Sequence, residues 1–196
     1  NGDSLVNVSA EERKKALVDY ALPKNIKKMQ ADMEKYKIFY DKWFFESELH
    51  KSGAVKAVVD LLTEKGLTYE KDGAVWYKNK EVLTQKLLKE GKSQKYIDNL
   101  ELKDDVLIRQ NGNPTYFTAD IAYHKNKFDR GFTTLIDVWG ADHHGHVMRM
   151  KGAMDAIGYD GDKLNVVLMQ LVKLVKDGEL VRMSKRTGKA IQLGDL

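Results

Sequence analysis

Leu135-Ile136-Asp137-Val138-Trp139 is a short apolar run that ends at Gly140 and gives way to Ala141-Asp142-His143-His144-Gly145-His146. Apolar residues then recur at helical spacing from His143 to Ile157, with Gly158 as the stop, and a second apolar run occupies Asn165 to Leu171. Strand, helix and strand at this spacing predict a βαβ unit on a parallel sheet, both runs reading as buried strands. Working outward, Val106-Leu107-Ile108-Arg109 reads as a strand, Asn111-Gly112-Asn113-Pro114 as a turn and Thr118 to Arg130 as a helix. Beyond the second run, Val172 to Arg182 reads as a hairpin around Asp177-Gly178. Residues 105–196 are therefore expected to be part of a doubly wound α/β domain.

Residues 1–104 have a different character and read as a mixed α+β insertion. Ser9-Ala10-Glu11-Glu12 is a capping-box pattern, which predicts a helix from Ala10 to Leu22 stopped by Pro23. Ile26, Met29, Met33 and Tyr36 mark a second amphipathic stretch, and the aromatic Lys37 to Glu46 suits a strand. Gly53 to Lys65 is helical, with Val55, Val58, Val59 and Leu62 on one face and Gly66 as its end. Asp72-Gly73 signals a hairpin within Leu67 to Lys78, and Asn79 to Asp105 reads as a solvated helical excursion.

Composition narrows the function classes. The 196 residues are 42% hydrophobic, enough for a packed core, and no apolar run approaches the ~20 residues a membrane helix needs. Zero cysteines exclude a disulfide framework and thiolate chemistry, and fit a reducing cytoplasm. A net charge of +4 over this length is too dilute for a dedicated DNA binder.

Three stretches could carry chemistry. Ligands of open α/β sheets bind beyond the carboxyl ends of strands, where helix N-termini face anions, so Gly140 would let a ligand approach and Asp142 would accept from a ribose hydroxyl. Asp142, His143, His144 and His146 also admit a zinc reading, yet 143 and 144 diverge by roughly 100° on a helix and only 142 and 146 share a face. Met183-Ser184-Lys185-Arg186-Thr187-Gly188 is a basic loop able to stabilise charge on a transferring phosphoryl or nucleotidyl group, or else a solvated turn. Tyr116 and Asp120, four apart, would share a helix face and hold a cationic ligand, the carboxylate matching a guanidinium. The competing reading is a cap by Thr118, with Asp120 complementing the helix dipole.

Together NPTYFTADIAYH (Asn113–His124), IDVWGADHHGH (136–146) and MSKRTG (Met183–Gly188) resemble class I aminoacyl-tRNA synthetases, and among them the arginyl-tRNA synthetase family. FYDKWFFE (39–46) and YEKDGAVW (69–76) extend the resemblance to about three quarters of the chain, in the family's order. It implies a Rossmann-like catalytic domain interrupted by insertions, with L-arginine, ATP accompanied by Mg2+, and tRNA(Arg) as partners, and no tightly bound metal. Arginine would be activated to arginyl-adenylate and passed to the terminal ribose of tRNA. By position, Tyr116, Asp120 and His143 would bind arginine, and Gly140, Asp142, His146 and Met183 would bind ATP. Ser184, Lys185 and Arg186 would be the catalytic loop, with Lys185 meeting the phosphates.

The family's His-x-Gly-His turn is absent, because His144-Gly145-His146 stands in another structural context. The chain is therefore expected to be an internal, monomeric fragment of the catalytic region, unable to form the adenylate alone. A non-catalytic tRNA- or nucleic-acid-binding paralogue, and another synthetase of the same class, are the alternatives.

Overall fold

Ser9 caps the first helix as its sequence requires: its side chain accepts from Glu12 N–H while the Glu12 carboxylate takes the Ser9 N–H. The computed structural model describes residues 3–170, 172–176 and 178–180. They fall into two compact units, one of residues 44–172 and one combining the two flanking stretches.

In the flanking unit, α1 (Ala10–Lys35) runs straight through Pro23 and absorbs the stretch expected to be a separate helix. No residue of α1 is buried, so the carbonyl that Pro23 leaves without a partner faces water, and the break costs less than it would in a core. The short strands β6 (Val175–Lys176) and β7 (Glu179–Leu180) pair antiparallel around Gly178, giving the expected hairpin. The aromatic stretch forms no strand: residues 38–45 lie outside regular secondary structure up to α2 (Glu46–Lys51). Its rings pack individually, Tyr40 edge-on against Trp43 in this unit and Phe44 stacked on Tyr123 at 4.6 Å in the larger one.

The larger unit holds the core. Helix α3 (Ala54–Glu64) buries Val55, Val58 and Leu62 and ends at Gly66, whose φ of +70° is the left-handed conformation that favours glycine. Strands β1 (Thr68–Lys71) and β2 (Ala74–Tyr77) form a hairpin whose turn needs positive φ at both Asp72 and Gly73, as an Asp-Gly pair supplies. Strand β3 (Asp105–Ile108) adds antiparallel to β2.

Between them, α4 (Asn79–Lys89) and α5 (Gln94–Asp98) are helical as expected, but not simply solvated. Leu83, Leu87 and Ile97 are buried. The Lys and Gln residues mask a leucine stripe too sparse to register as amphipathic.

Helix α6 (Tyr116–Asp129) leads to β4 (Leu135–Gly140), a single 3-10 turn over Ala141–His143, α7 (His144–Ile157) and β5 (Leu164–Met169). Strands β4 and β5 pair in parallel, with Leu135 opposite Leu164 and Gly140 opposite Met169, so the predicted βαβ unit is present. It is not buried on both faces. Leu135 and Leu164 point into the core, while Ile136 and Val138 remain 68% and 66% exposed on the opposite face.

One cluster joins Val58, Leu62, Tyr77, Leu107, Ile121, Met150, Met154, Leu135 and Leu164. Each large apolar side chain buried there contributes about 1.5–3 kcal/mol. The sum locks α3, α6 and α7 against β4 and β5. The result is a mixed α/β architecture whose site lies where β4 ends and α7 begins.

Candidate functional site

Helix α6 is positioned at its first turn by threonines. Thr115, not Thr118, is the N-cap: its hydroxyl accepts from Thr118 N–H and donates to the Val106 carbonyl at 2.8 Å. Thr118 is fully buried and donates to the Leu107 carbonyl, fastening the helix to β3. The Asn-Pro turn before it had shifted the expected cap by one helical turn, since either threonine can supply the oxygen.

With α6 so placed, Tyr116 and Asp120 face a cleft of about 860 Å³ whose opposite wall is formed by Trp139, Asp142, His143, Gly145 and His146. Five of the predicted binding residues therefore share one site. Gly140 ends β4 in an ordinary extended conformation, with φ −65°, just behind that wall. The histidines divide as helical geometry demands: His143 and His146 border this cleft, and His144 faces a second cavity between α4 and α7.

Neither residue is buried: the Asp120 side chain is 45% exposed and Tyr116 is 78% exposed. Their place at the open N-terminal end of α6 accounts for this. Asp120 Oδ2 lies 3.3 Å from Nε2 of His146, whose side chain is 17% exposed, but the two are not aligned as a hydrogen bond.

A second carboxylate in the same cleft is engaged twice. Asp137 on β4 accepts from His124 and, at 2.7 Å, from Lys127. Burial raises its pKa, but the hydrogen bonds from His124 and Lys127 outweigh burial and hold it below the ordinary carboxylate value.

Aromatic rings fix the rest of the wall. Trp139 lies 5.3 Å from the His146 ring and 6.4 Å from the His143 ring, and Phe117 meets His146 edge-on at 5.5 Å. Arg149 stacks over Phe117 while its fork grips Asp105, tying α7 to β3. Asp105 is raised by burial even with Arg149 pulling it down.

Sequence reasoning missed Phe117, His124, Asp137, Trp139 and Arg149. Two signals were available: Asp137 and Trp139 share a strand face at i, i+2, and His124 follows Asp120 by one helical turn. Among the described residues no group of three or more His, Cys, Asp or Glu could hold a metal ion. No described helix is long and apolar enough to cross a membrane. Met183, Ser184, Lys185 and Arg186 lie outside the described residues.

No family model matches the chain. Curated relatives do. The arginine–tRNA ligase of Caldanaerobacter subterraneus subsp. tengcongensis is 55% identical over all of this chain, and that of Ruminiclostridium cellulolyticum 52% identical. The chain spans about a third (32%) of the length of each.

Among solved structures, a Campylobacter jejuni chain provisionally described as an arginyl-tRNA synthetase superposes with TM-score 0.73 at 35% identity, covering 95% of this chain and 36% of that one. Thermus thermophilus arginyl-tRNA synthetase shares the fold at TM-score 0.62 and 18% identity, over 82% of this chain and 32% of its own. Fold and sequence together place the chain among the aminoacyl-tRNA synthetases. Within that class it belongs to the arginyl-tRNA synthetase family, matching a segment of the longer enzyme.

Proposed function

We propose that the cleft between α6 and α7 is the arginine and nucleotide site of an ATP-dependent arginine–tRNA ligase, carried by a Rossmann-like half-domain over residues 105–196 with residues 1–104 as its connective insertion. One observation supports this above all: of the three carboxylates in the cleft, those on α6 and β4 have unlike surroundings. Asp137 is satisfied by His124 and Lys127, whereas Asp120 has only the unaligned His146 near its Oδ2 among the described residues. Of these two, Asp120 is the anion available to a ligand. A guanidinium, always charged and planar, matches a carboxylate with two parallel hydrogen bonds, and the Tyr116 hydroxyl stands one turn away to add a polar contact.

The reaction needs no protein nucleophile. The arginine carboxylate attacks the α-phosphate of ATP, forming the adenylate and releasing pyrophosphate, and a ribose hydroxyl of tRNA(Arg) then takes the arginyl group. The protein's part is to orient and to stabilise charge. Asp142 at the head of α7 is placed to accept from ribose, while Gly145 lets the nucleotide approach the backbone. Gly140 lies just behind that end; His143, 3.8 Å from Asp142, borders the nucleotide end, and His146, 3.3 Å from Asp120, the arginine end. Mg2+ would arrive on the nucleotide and neutralise phosphate charge. Ser184, Lys185, Arg186 and Met183 are assigned to the phosphates from their sequence match alone.

The test is Asp120→Asn in the full-length ligase carrying this segment, followed by arginine-dependent ATP–pyrophosphate exchange. The arginine KM should rise roughly 10- to 100-fold, the loss of one charge-assisted pair, with the ATP KM little changed. Equal changes in both would overturn the assignment.

A further inference from the structure

We propose that His124, one helical turn after Asp120, is a positioning residue that fixes the Asp120 carboxylate for arginine. The inference rests on the reading of Asp120 given above. His124 is 3% exposed, where an aliphatic residue would pack without polar cost, so its retention needs both ring nitrogens satisfied. They are. Nδ1 lies 2.7 Å from the Asp120 backbone carbonyl, and Nε2 meets the Asp137 carboxylate.

Each ring nitrogen faces an acceptor. The Asp120 carbonyl, with two lone pairs, has room for a second donor beside its ordinary helical bond. The turn that carries the Asp120 side chain is thereby tied through the ring to β4. Lys127 holds the other Asp137 oxygen, so the anchor is fixed at both oxygens.

The same ring meets Trp139 in a T-shaped contact at 6.2 Å and 86°, and Trp139 in turn abuts His143 and His146. One imidazole therefore sets both the depth of Asp120 on α6 and the plane of the wall it faces. Misplacement of a binding group by a fraction of an ångström to 1 Å weakens a directional pair without removing it.

The experiment is a double-mutant cycle in the full-length ligase, with Asp120→Asn, His124→Asn and their combination, read as arginine KM, ATP KM and melting temperature. Asp137→Asn, which cuts the tie from its other end, is measured alongside in case His124→Asn fails to fold. His124→Asn and Asp137→Asn should each raise the arginine KM about tenfold and leave the ATP KM within about twofold. In the Asp120→Asn background, His124→Asn should add little, because its effect runs through that carboxylate.

If the two arginine effects multiply, or if arginine and ATP KM rise together in step with lost melting temperature, His124 is a packing residue and the inference fails. If Asp120→Asn itself leaves the arginine KM unchanged, the reading of Asp120 fails, and this inference with it. If Asp120→Asn raises it while both tie variants leave it unchanged, only the inference fails.

Discussion

Asp120 on α6 and His146 in the first turns of α7 approach to 3.3 Å across the mouth of the cleft, without the alignment of a hydrogen bond. A contact of that kind is easily exchanged for a better partner. His146 should therefore act on the arginine side. Replacing it with Ala is expected to raise the arginine KM about threefold and leave the ATP KM within about twofold, a weaker form of the Asp120→Asn pattern. Steady-state exchange kinetics at varied arginine and ATP check this.

Arg149 carries a different load. Its fork on Asp105 and its stacking on Phe117 join α7, β3 and the cleft wall. Arg149→Ala leaves a largely buried carboxylate alone and should cost about 1–3 kcal/mol in urea unfolding at neutral pH. Arg149→Lys recovers only part, since a point charge supplies neither fork nor stacking plane. Because burial already raises the Asp105 pKa, the deficit of Arg149→Ala should shrink as pH falls and the carboxyl becomes neutral.

Asp137 gives the opposite sign. Its folded pKa is lowered by His124 and Lys127, so the stability it contributes is present above the unfolded value of about 3.9 and is lost as pH falls through the lower folded value. Melting temperatures of Asp137→Asn and the parent chain should differ at pH 6 to 7, and the gap should narrow as pH falls below about 4. A gap that persists or widens in acid contradicts the network.

Much of the scaffold was legible in the chain. The capping box at Ser9, the Asp72-Gly73 turn, the α3 stripe and the β4–α7–β5 unit all follow from local rules, and each is present. What misled was context. Pro23 stops a helix only where its lost hydrogen bond cannot be replaced by water. The aromatics from Phe39 to Phe45 favour a strand only where another strand is available to pair. Asp120 and Asp137 are chemically identical in sequence; only their neighbours separate an available anion from a paired one.

Two glycines offer a steric test independent of the cleft. A Cβ at Gly161 would stand 2.3 Å from the Lys151 carbonyl oxygen, a backbone atom that cannot yield, whereas one at Gly152 would meet the Leu83 Cδ2 at 2.6 Å. Gly161→Ala should lower the melting temperature by about 2–4 °C or more, for 1 kcal/mol or more of strain. Gly152→Ala should cost less, since Leu83 can shift and alanine favours the helix by about 1 kcal/mol over glycine. Thermal scans of the two variants give the order.

A crystal structure of the full-length ligase with L-arginine bears most directly on where the amino acid sits. The guanidinium should lie against the Asp120 carboxylate beside Tyr116, displacing His146 from that oxygen, with the ligand carboxylate toward the N-terminal end of α7. Arginine seated in the cavity between α4 and α7, or in this cleft with its guanidinium turned away from Asp120, would contradict the account.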